Sequence, residues 1–145
     1  MAEVRKSVLV AYSAERMFDL VDRVDRYPEF LPWCAGANVI PVDEQRVKAS
    51  VVISYHGVRQ SFTTQNTRVR PQRIDMRLAE GPFRTLDGAW VFTALNDSAC
   101  KIEFNLRYEF SSRLLEKLVG PVFSYIANTL VEAFLRRAEQ VYGHD

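Results

Sequence analysis

Apolar and polar residues alternate along most of this chain, and the period of the alternation changes near its two ends. Residues 3–10 are valine-rich with polar residues between, the two-residue period of a half-buried strand. Over residues 14–24 the period lengthens. Met17, Phe18, Leu20, Val21 and Val24 recur at helical spacing behind Ser13, which can cap the first turn. Residues 37–42 and 46–55 return to period two; in the second run Val47, Ala49, Val51, Ile53 and Tyr55 share a face opposite Lys48, Ser50 and Ser54. His56-Gly57 predicts a tight hairpin turn, and residues 58–68 run back with Phe62 inward. Arg70-Pro71-Gln72 turns again into residues 73–79, with Ile74, Met76 and Leu78 on one face. Glu80-Gly81-Pro82 predicts a loop that leaves Phe83 exposed to whatever covers it. Residues 86–94 bring Leu86, Gly88, Trp90 and Phe92 together. After a turn at Asn96-Asp97, residues 101–110 alternate most regularly, with Ile102, Phe104, Leu106, Tyr108 and Phe110 inward.

The last stretch, residues 111–142, reads as one long amphipathic helix capped by Ser111 or Ser112. Its apolar residues come in pairs four apart, from Leu114/Leu115 to Phe134/Leu135. Each four-residue step overshoots a turn by about 40°, so the stripe spirals and its two ends face different ways. Gly120-Pro121 interrupts it. An interior proline costs about 3 kcal/mol, and a break with Gly120 as cap and Pro121 opening a second segment would avoid much of that cost. With or without the break, the expectation is a bent helix of roughly 45 Å. It is too apolar to stand in water, and one face of the strands needs a cover. A strand, a helix, six strands joined mostly by tight turns and one long helix predict an α+β architecture. A curved antiparallel sheet would wrap around the C-terminal helix in the helix-grip arrangement.

Length and composition keep this picture simple. The 145 residues suit one domain, 1–145, large enough for a core. With 48% hydrophobic and 26% charged residues the balance is that of an ordinary globular protein. No uninterrupted apolar run approaches the ~20 residues that span a bilayer, and the first six residues lead into a strand and not a signal peptide. The expected location is the cytoplasm, with peripheral contact at the inner membrane and no stable insertion. Cys34 and Cys100 have no metal-ligand or redox spacing and are expected to be reduced thiols. A net charge of +1 makes no global case for a polyanionic partner. Arg59, Arg68, Arg70, Arg73, Arg77 and Arg84 do fall in one segment with few acids. They form either a phosphate-facing patch or the solvated sites of a sheet, since alternation sends some of them to opposite faces.

No catalytic or metal constellation is visible. His56 sits at a turn tip and His144 in the tail, and there is no phosphate loop, zinc motif or nucleophile elbow. Cys34 has no sequence-visible base, and Asp22, Asp25 and Glu29 lie beside Arg23 and Arg26 as surface ion pairs would. What the chain has is apolar surface in surplus. Two prolines four apart bracket a segment rich in Tyr27, Phe30, Leu31 and Trp33, which reads as a hydrophobic lid or a cavity wall. The candidate ligand cavity consists of Phe30, Leu31, Trp33, Val51, Ile53, Phe62, Met76, Leu78, Phe83, Trp90, Phe104, Tyr108, Phe123, Ile126 and Leu130. The alternative is that these side chains fill the space between sheet and helix themselves.

The run Tyr27-Pro28-Glu29-Phe30-Leu31-Pro32-Trp33-Cys34 resembles the YPxFLPxC signature of bacterial RatA-type and mitochondrial coenzyme Q-binding proteins. Gly81-Pro82-Phe83, Leu86, Gly88, Trp90 and Phe92 match the family's GPF-x-x-L-x-G-x-W-x-F pattern. Tyr108-Glu109-Phe110 and the end Val131-Glu132-Ala133-Phe134, Arg137-Ala138 and Val141-Tyr142 match too. Pro121, after the Gly120 of the family's helix, is a local departure. The resemblance spans nearly the whole chain and implies a START-like helix-grip fold related to polyketide cyclases and lipid-transfer domains. It also implies two functions. One is binding of a polyprenyl quinone such as ubiquinone in support of respiration. The other is association with the large ribosomal subunit as a toxin that blocks subunit joining, with an antitoxin as a further partner. The residues favour the first, because they provide for an apolar tunnel and not for a catalyst. A non-enzymatic lipid carrier is therefore expected, without a cofactor other than the bound lipid, gated by residues 27–33 and the Gly81-Pro82-Phe83 loop. Aromatase or cyclase chemistry needs acids or bases inside the cavity, and the inward set contains almost none. On this reading Phe83→Asp or Trp90→Asp abolishes lipid co-purification and leaves the protein folded.

Overall fold

The computed structural model describes residues 1–143, so His144 lies outside the described residues. Seven strands form one antiparallel sheet: β1 (Ala2–Val10), β2 (Cys34–Pro41), β3 (Arg46–Tyr55), β4 (Val58–Val69), β5 (Arg73–Glu80), β6 (Phe83–Asn96) and β7 (Ala99–Phe110). The spatial order is β1-β7-β6-β5-β4-β3-β2. From β2 to β7 each strand pairs with its successor, as the turn residues predict. The β3–β4 turn has positive φ at both central residues, 49° at His56 and 79° at Gly57, the twist that joins two strands through a two-residue loop. Gly88 lets β6 and β7 close up, because a Cβ there would stand 2.4 Å from the Asn105 carbonyl oxygen. β1 instead crosses to the far edge and pairs with β7, from Ala2 opposite Tyr108 to Val10 opposite Cys100.

Helix α1 (Ala14–Asp22) is capped as expected, with the Arg16 N–H donating to Ser13 Oγ at 3.1 Å. It buries Met17, Phe18 and Val21, and Phe18 meets Phe92 of β6 edge-on at 5.7 Å. The helix stops earlier than its apolar spacing suggested. Residues Val24–Glu29 form a separate 3-10 helix that carries Tyr27 and Pro28; Arg23, with ψ at 71°, leaves the helical region and ends α1 before it.

Helix α2 (Arg113–Tyr142) starts behind Ser112, whose Oγ accepts from the Leu115 N–H at 3.1 Å. Of the two alternatives at Gly120-Pro121 the structure takes the unbroken one; the helix runs through the pair. Pro121 sits on the exposed side, and the carbonyl four residues back belongs to the equally exposed Lys117. Water can take the hydrogen bond that the proline cannot donate. Val119, Phe123, Ile126, Ala127, Val131, Phe134 and Ala138 form the buried stripe. The expected spiral shows at the N-terminal end, where Leu114 (65% exposed) and Leu118 (59%) face outward. By length and mean hydropathy α2 alone would suffice to cross a bilayer, but its buried stripe packs against the sheet as a core helix.

The space between the sheet and α2 is filled differently along its length. At the end where α2 starts, Phe83, Phe110, Phe123 and Tyr108 form an aromatic plug. Phe83 stacks on Phe110 at 4.9 Å and meets Phe123 at 5.0 Å, and Tyr108 meets Phe123 at 4.7 Å. Phe83 is therefore buried and is not an exposed loop tip. At the other end Met17, Phe18, Ile102, Cys100, Phe134 and Ala138 close the core. Between these two packed ends lies a cavity.

Candidate functional site: an apolar cavity with a polar corner

The cavity holds about 100 Å³. Its floor is the inner face of the sheet: Ala49 and Val51 of β3, Phe62, Thr64 and Asn66 of β4, Met76 of β5, Leu86 and Trp90 of β6, Phe104 and Leu106 of β7. Its roof is Phe123, Ile126, Ala127 and Leu130 of α2, and Val24, Tyr27 and Trp33 close one side. These residues meet there because register brings same-face positions into line. Asn66 stands opposite both Val47 and Met76, and Trp90 opposite both Ile74 and Phe104. Trp90 packs on Phe104 at 4.4 Å and meets Phe134 edge-on at 5.4 Å.

Nine of the fifteen expected cavity residues line it: Trp33, Val51, Phe62, Met76, Trp90, Phe104, Phe123, Ile126 and Leu130. The other six do not. Phe83 and Tyr108 belong to the aromatic plug, so at that end the side chains fill the space themselves. Ile53 is packed in the core and Leu78 is half-buried outside the lining. Phe30 and Leu31 lie beyond the cavity wall; Phe30 stands 5.5 Å from the Phe134 ring and under the Arg137 guanidinium at 4.9 Å. The segment over residues 27–33 is thus part wall and part strap across α2. The strap is tied further by Glu29, which accepts from Arg26 at 2.9 Å and from Arg137 of α2 at 3.0 Å.

Sequence reading passed over two polar residues of the lining. Thr64 and Asn66 are each 6% exposed, and Thr64 Oγ1 donates to Asn66 Oδ1 at 2.7 Å. The signal was available, because both share the face of Phe62 by strand parity. In a strand full of Thr, Gln and Ser they read as solvent-facing.

Among the described residues the lining holds no carboxylate, histidine, lysine or arginine. Its one titratable group is the Tyr27 phenol, which donates to the Val21 carbonyl at 2.6 Å and which burial pushes well above its ordinary value. It stays protonated near neutral pH. Burial also pushes the Cys34 thiol up, and the Cys100 thiol up to about 11, so neither is a ready nucleophile. Among the described residues no group of three His, Cys, Asp or Glu side chains could hold a metal. The cavity can exclude water, bury an apolar group and offer a hydrogen bond. A larger open groove of about 610 Å³ on the outer face, along β1 and β7, mixes both signs of charge from Glu3, Arg5, Asp87, Glu103 and Arg107. It is solvated surface and not an apolar seat.

The six arginines separate as alternation predicts. Arg59, Arg73 and Arg77 are on the outer face, while Arg68 lies on the inner face and reaches Asp22 of α1 at 2.9 Å. Arg70 makes two 2.8 Å bonds to Asp19, Arg73 pairs with Asp75 at 2.9 Å, and Arg84 pairs with Glu109 at 3.4 Å. Among the described residues only Arg59 and Arg77 of the six have no ion-pair partner.

Known proteins share both this fold and this sequence. The family model described as polyketide cyclase/dehydrase and lipid transport matches residues 10–135. A Vibrio cholerae protein named ribosome association toxin RatA is 48% identical over 143 residues, covering 99% of each chain. The mitochondrial coenzyme Q-binding protein COQ10 homolog B of Xenopus laevis is 24% identical, over 97% of this chain and 59% of its own length. An 18 kDa Caulobacter crescentus protein solved in solution is 30% identical with a TM-score of 0.76, covering 99% of this chain and all of that one. Two more distant structures share the fold. A START superfamily protein of Mycobacterium smegmatis has 21% identity, TM-score 0.75 and 96% and 98% coverage. The Zhui aromatase/cyclase of Streptomyces sp. R1128 has 16% identity, TM-score 0.77 and 96% and 94% coverage. With a seven-stranded antiparallel sheet wrapped on one long helix and this match along nearly its whole length, the chain belongs to the polyketide cyclase/dehydrase and lipid-transport family and, within it, to the family of the RatA-named proteins.

Proposed function

We propose that the protein is a non-enzymatic carrier of a polyprenyl-quinone-like lipid. The observation that supports this best is the cavity itself. It lies between sheet and helix, is lined by fifteen apolar or aromatic residues and two polar ones, and contains no acid–base pair. Its size sharpens the reading. A dry cavity of about 150 Å³ accepts benzene, so a space of about 100 Å³ is a seat for a ring after slight expansion and not a tunnel for a whole tail. The tail would leave past the half-buried lining residues Tyr27, Phe62, Met76 and Leu130, where the lining approaches solvent. Each CH₂ it buries on the way contributes about 0.8 kcal/mol. Similarity to a protein named for coenzyme Q binding supports the same class of ligand.

A second reading, association with the ribosome, is favoured by the 48% identity to a protein named for it. It would use the outer face of the sheet, with Arg59 and Arg77, the two of the six arginines without an ion-pair partner among the described residues, as phosphate contacts. One experiment separates the two: mass spectrometry of an organic extract of the protein purified from its native host, beside ribosome sedimentation over a salt series. A stoichiometric polyprenyl quinone without ribosome comigration supports the carrier. An empty extract with salt-sensitive comigration overturns it in favour of the second reading.

A further inference from the structure

Along the inner face of β4, Phe62, Thr64, Asn66 and Arg68 follow at alternate positions. Thr64 and Asn66 are the buried polar residues among those described, and both line the cavity. The 2.7 Å bond from Thr64 Oγ1 to Asn66 Oδ1 orients the carboxamide. A hydroxyl has one proton to give, and once Oδ1 takes it, Nδ2 points its two N–H groups elsewhere. Among the described residues Nδ2 donates to nothing. Among the described residues the fully buried side-chain donor without a partner is Arg68 Nε and not Asn66 Nδ2, so Nδ2 keeps some accessible surface, and a ligand acceptor can take the place of water there.

The chemistry of that acceptor is narrowed by what surrounds it. Among the described residues the lining carries no cation, and the guanidinium that comes next on the same strand face, Arg68, is bound to Asp22 at 2.9 Å. A carboxylate or phosphate head would enter the cavity uncompensated. A neutral ring bearing a carbonyl oxygen would not. We propose that Thr64 and Asn66 are the head-group recognition pair of this cavity, with Asn66 Nδ2–H donating to a carbonyl oxygen of a quinone-class ring held among Trp33, Trp90 and Phe123. This rests on the carrier reading above and adds the side chains that distinguish a quinone from a plain hydrocarbon of the same size.

The test uses the full chain and two probes, ubiquinone-1 and the smaller, carbonyl-free n-pentylbenzene, each titrated calorimetrically into wild type and variant. The double variant Thr64→Val/Asn66→Leu removes both hydrogen-bonding partners at once and leaves no orphan. The wild type is expected to prefer ubiquinone-1. The double variant is expected to bind ubiquinone-1 about tenfold more weakly, the worth of one buried hydrogen bond, and n-pentylbenzene at least as tightly as before. Wild type that binds both probes, with a folded double variant that keeps its quinone affinity, overturns the recognition pair and leaves the carrier standing. Wild type that binds neither overturns both. If the double variant does not fold, infrared difference spectra of wild type with bound ubiquinone-1 decide the matter. A carbonyl band shifted to lower wavenumber supports the donor, and an unshifted band overturns it.

Discussion

Ala127→Leu tests the cavity directly. Ala127 is 2% exposed, lies mid-helix on the buried stripe of α2, and its methyl forms part of the cavity roof. Leucine is a good helix former, so the backbone has no reason to move. The substitution adds three carbons, worth about 2.4 kcal/mol at about 0.8 kcal/mol for each buried methylene. Filling about 100 Å³ of empty space gives the same upper figure at about 24 cal/mol per Å³. An imperfect fit subtracts from this, so the expected gain is about 1–2 kcal/mol. In a chain of this size that raises the melting temperature by about 3–8 °C. The assay is thermal unfolding followed by near-ultraviolet circular dichroism, with ubiquinone-1 titration of the same samples. The variant should melt higher and bind no quinone, while ribosome comigration, if present, stays as in the wild type. A lower melting temperature would mean that the space beside Ala127 is already filled. Unchanged quinone binding would mean that the ligand sits elsewhere. Either result refutes the reasoning.

Phe134 is 1% exposed and packs edge-on against Tyr27, Phe30 and Trp90, so Phe134→Ala should cost about 3–5 kcal/mol in urea unfolding. Arginine pairs hold the Glu29 carboxyl below its ordinary value of 4.5, chiefly through the Arg26 hydrogen bond. A carboxyl with a depressed folded pKa contributes stability above its unfolded value and loses it as pH falls through the folded one. Glu29→Gln should therefore be less stable than wild type at pH 7, and the two should converge as pH drops below 4.5; a gap that persists at low pH would count against the ion pairs. Arg59→Ala/Arg77→Ala should lower the salt dependence of any ribosome association by about one unit of slope for each phosphate no longer neutralised, without changing quinone affinity. Carboxylates at Phe83 or Trp90, expected from sequence to spare the fold, should instead unfold it. Both rings are buried, at 6% and 2% exposure, so a carboxylate in either place would be taken out of water.

The strands, their inward faces and the two helix caps were legible in the sequence because each depends on neighbours a few residues away. Parity in residues 46–55 and 101–110 placed Val51, Ile53, Phe104 and Tyr108 on the core side, and Ser13 and Ser112 cap where a serine oxygen precedes an apolar period. The recognised motifs gave the family for the same reason, since they are local strings. Whether Pro121 breaks the last helix stayed open in the sequence, because the cost of an interior proline depends on whether water reaches the abandoned carbonyl, which the chain alone does not state. Tertiary structure alone decided three further matters. β1 pairs with the last strand, and no feature of its own pattern names that partner. Phe83 and Tyr108 pack as a plug while Trp90 and Phe62 border empty space, although all four point to the same side. Whether aromatic rings fill a gap or line it depends on the distance between sheet and helix, and that distance is set by all the side chains together. Asn66 became a candidate ligand contact only when the same packing closed over it and left its amide without a protein acceptor. Periodicity tells which way a side chain points; only the fold tells what is there to meet it.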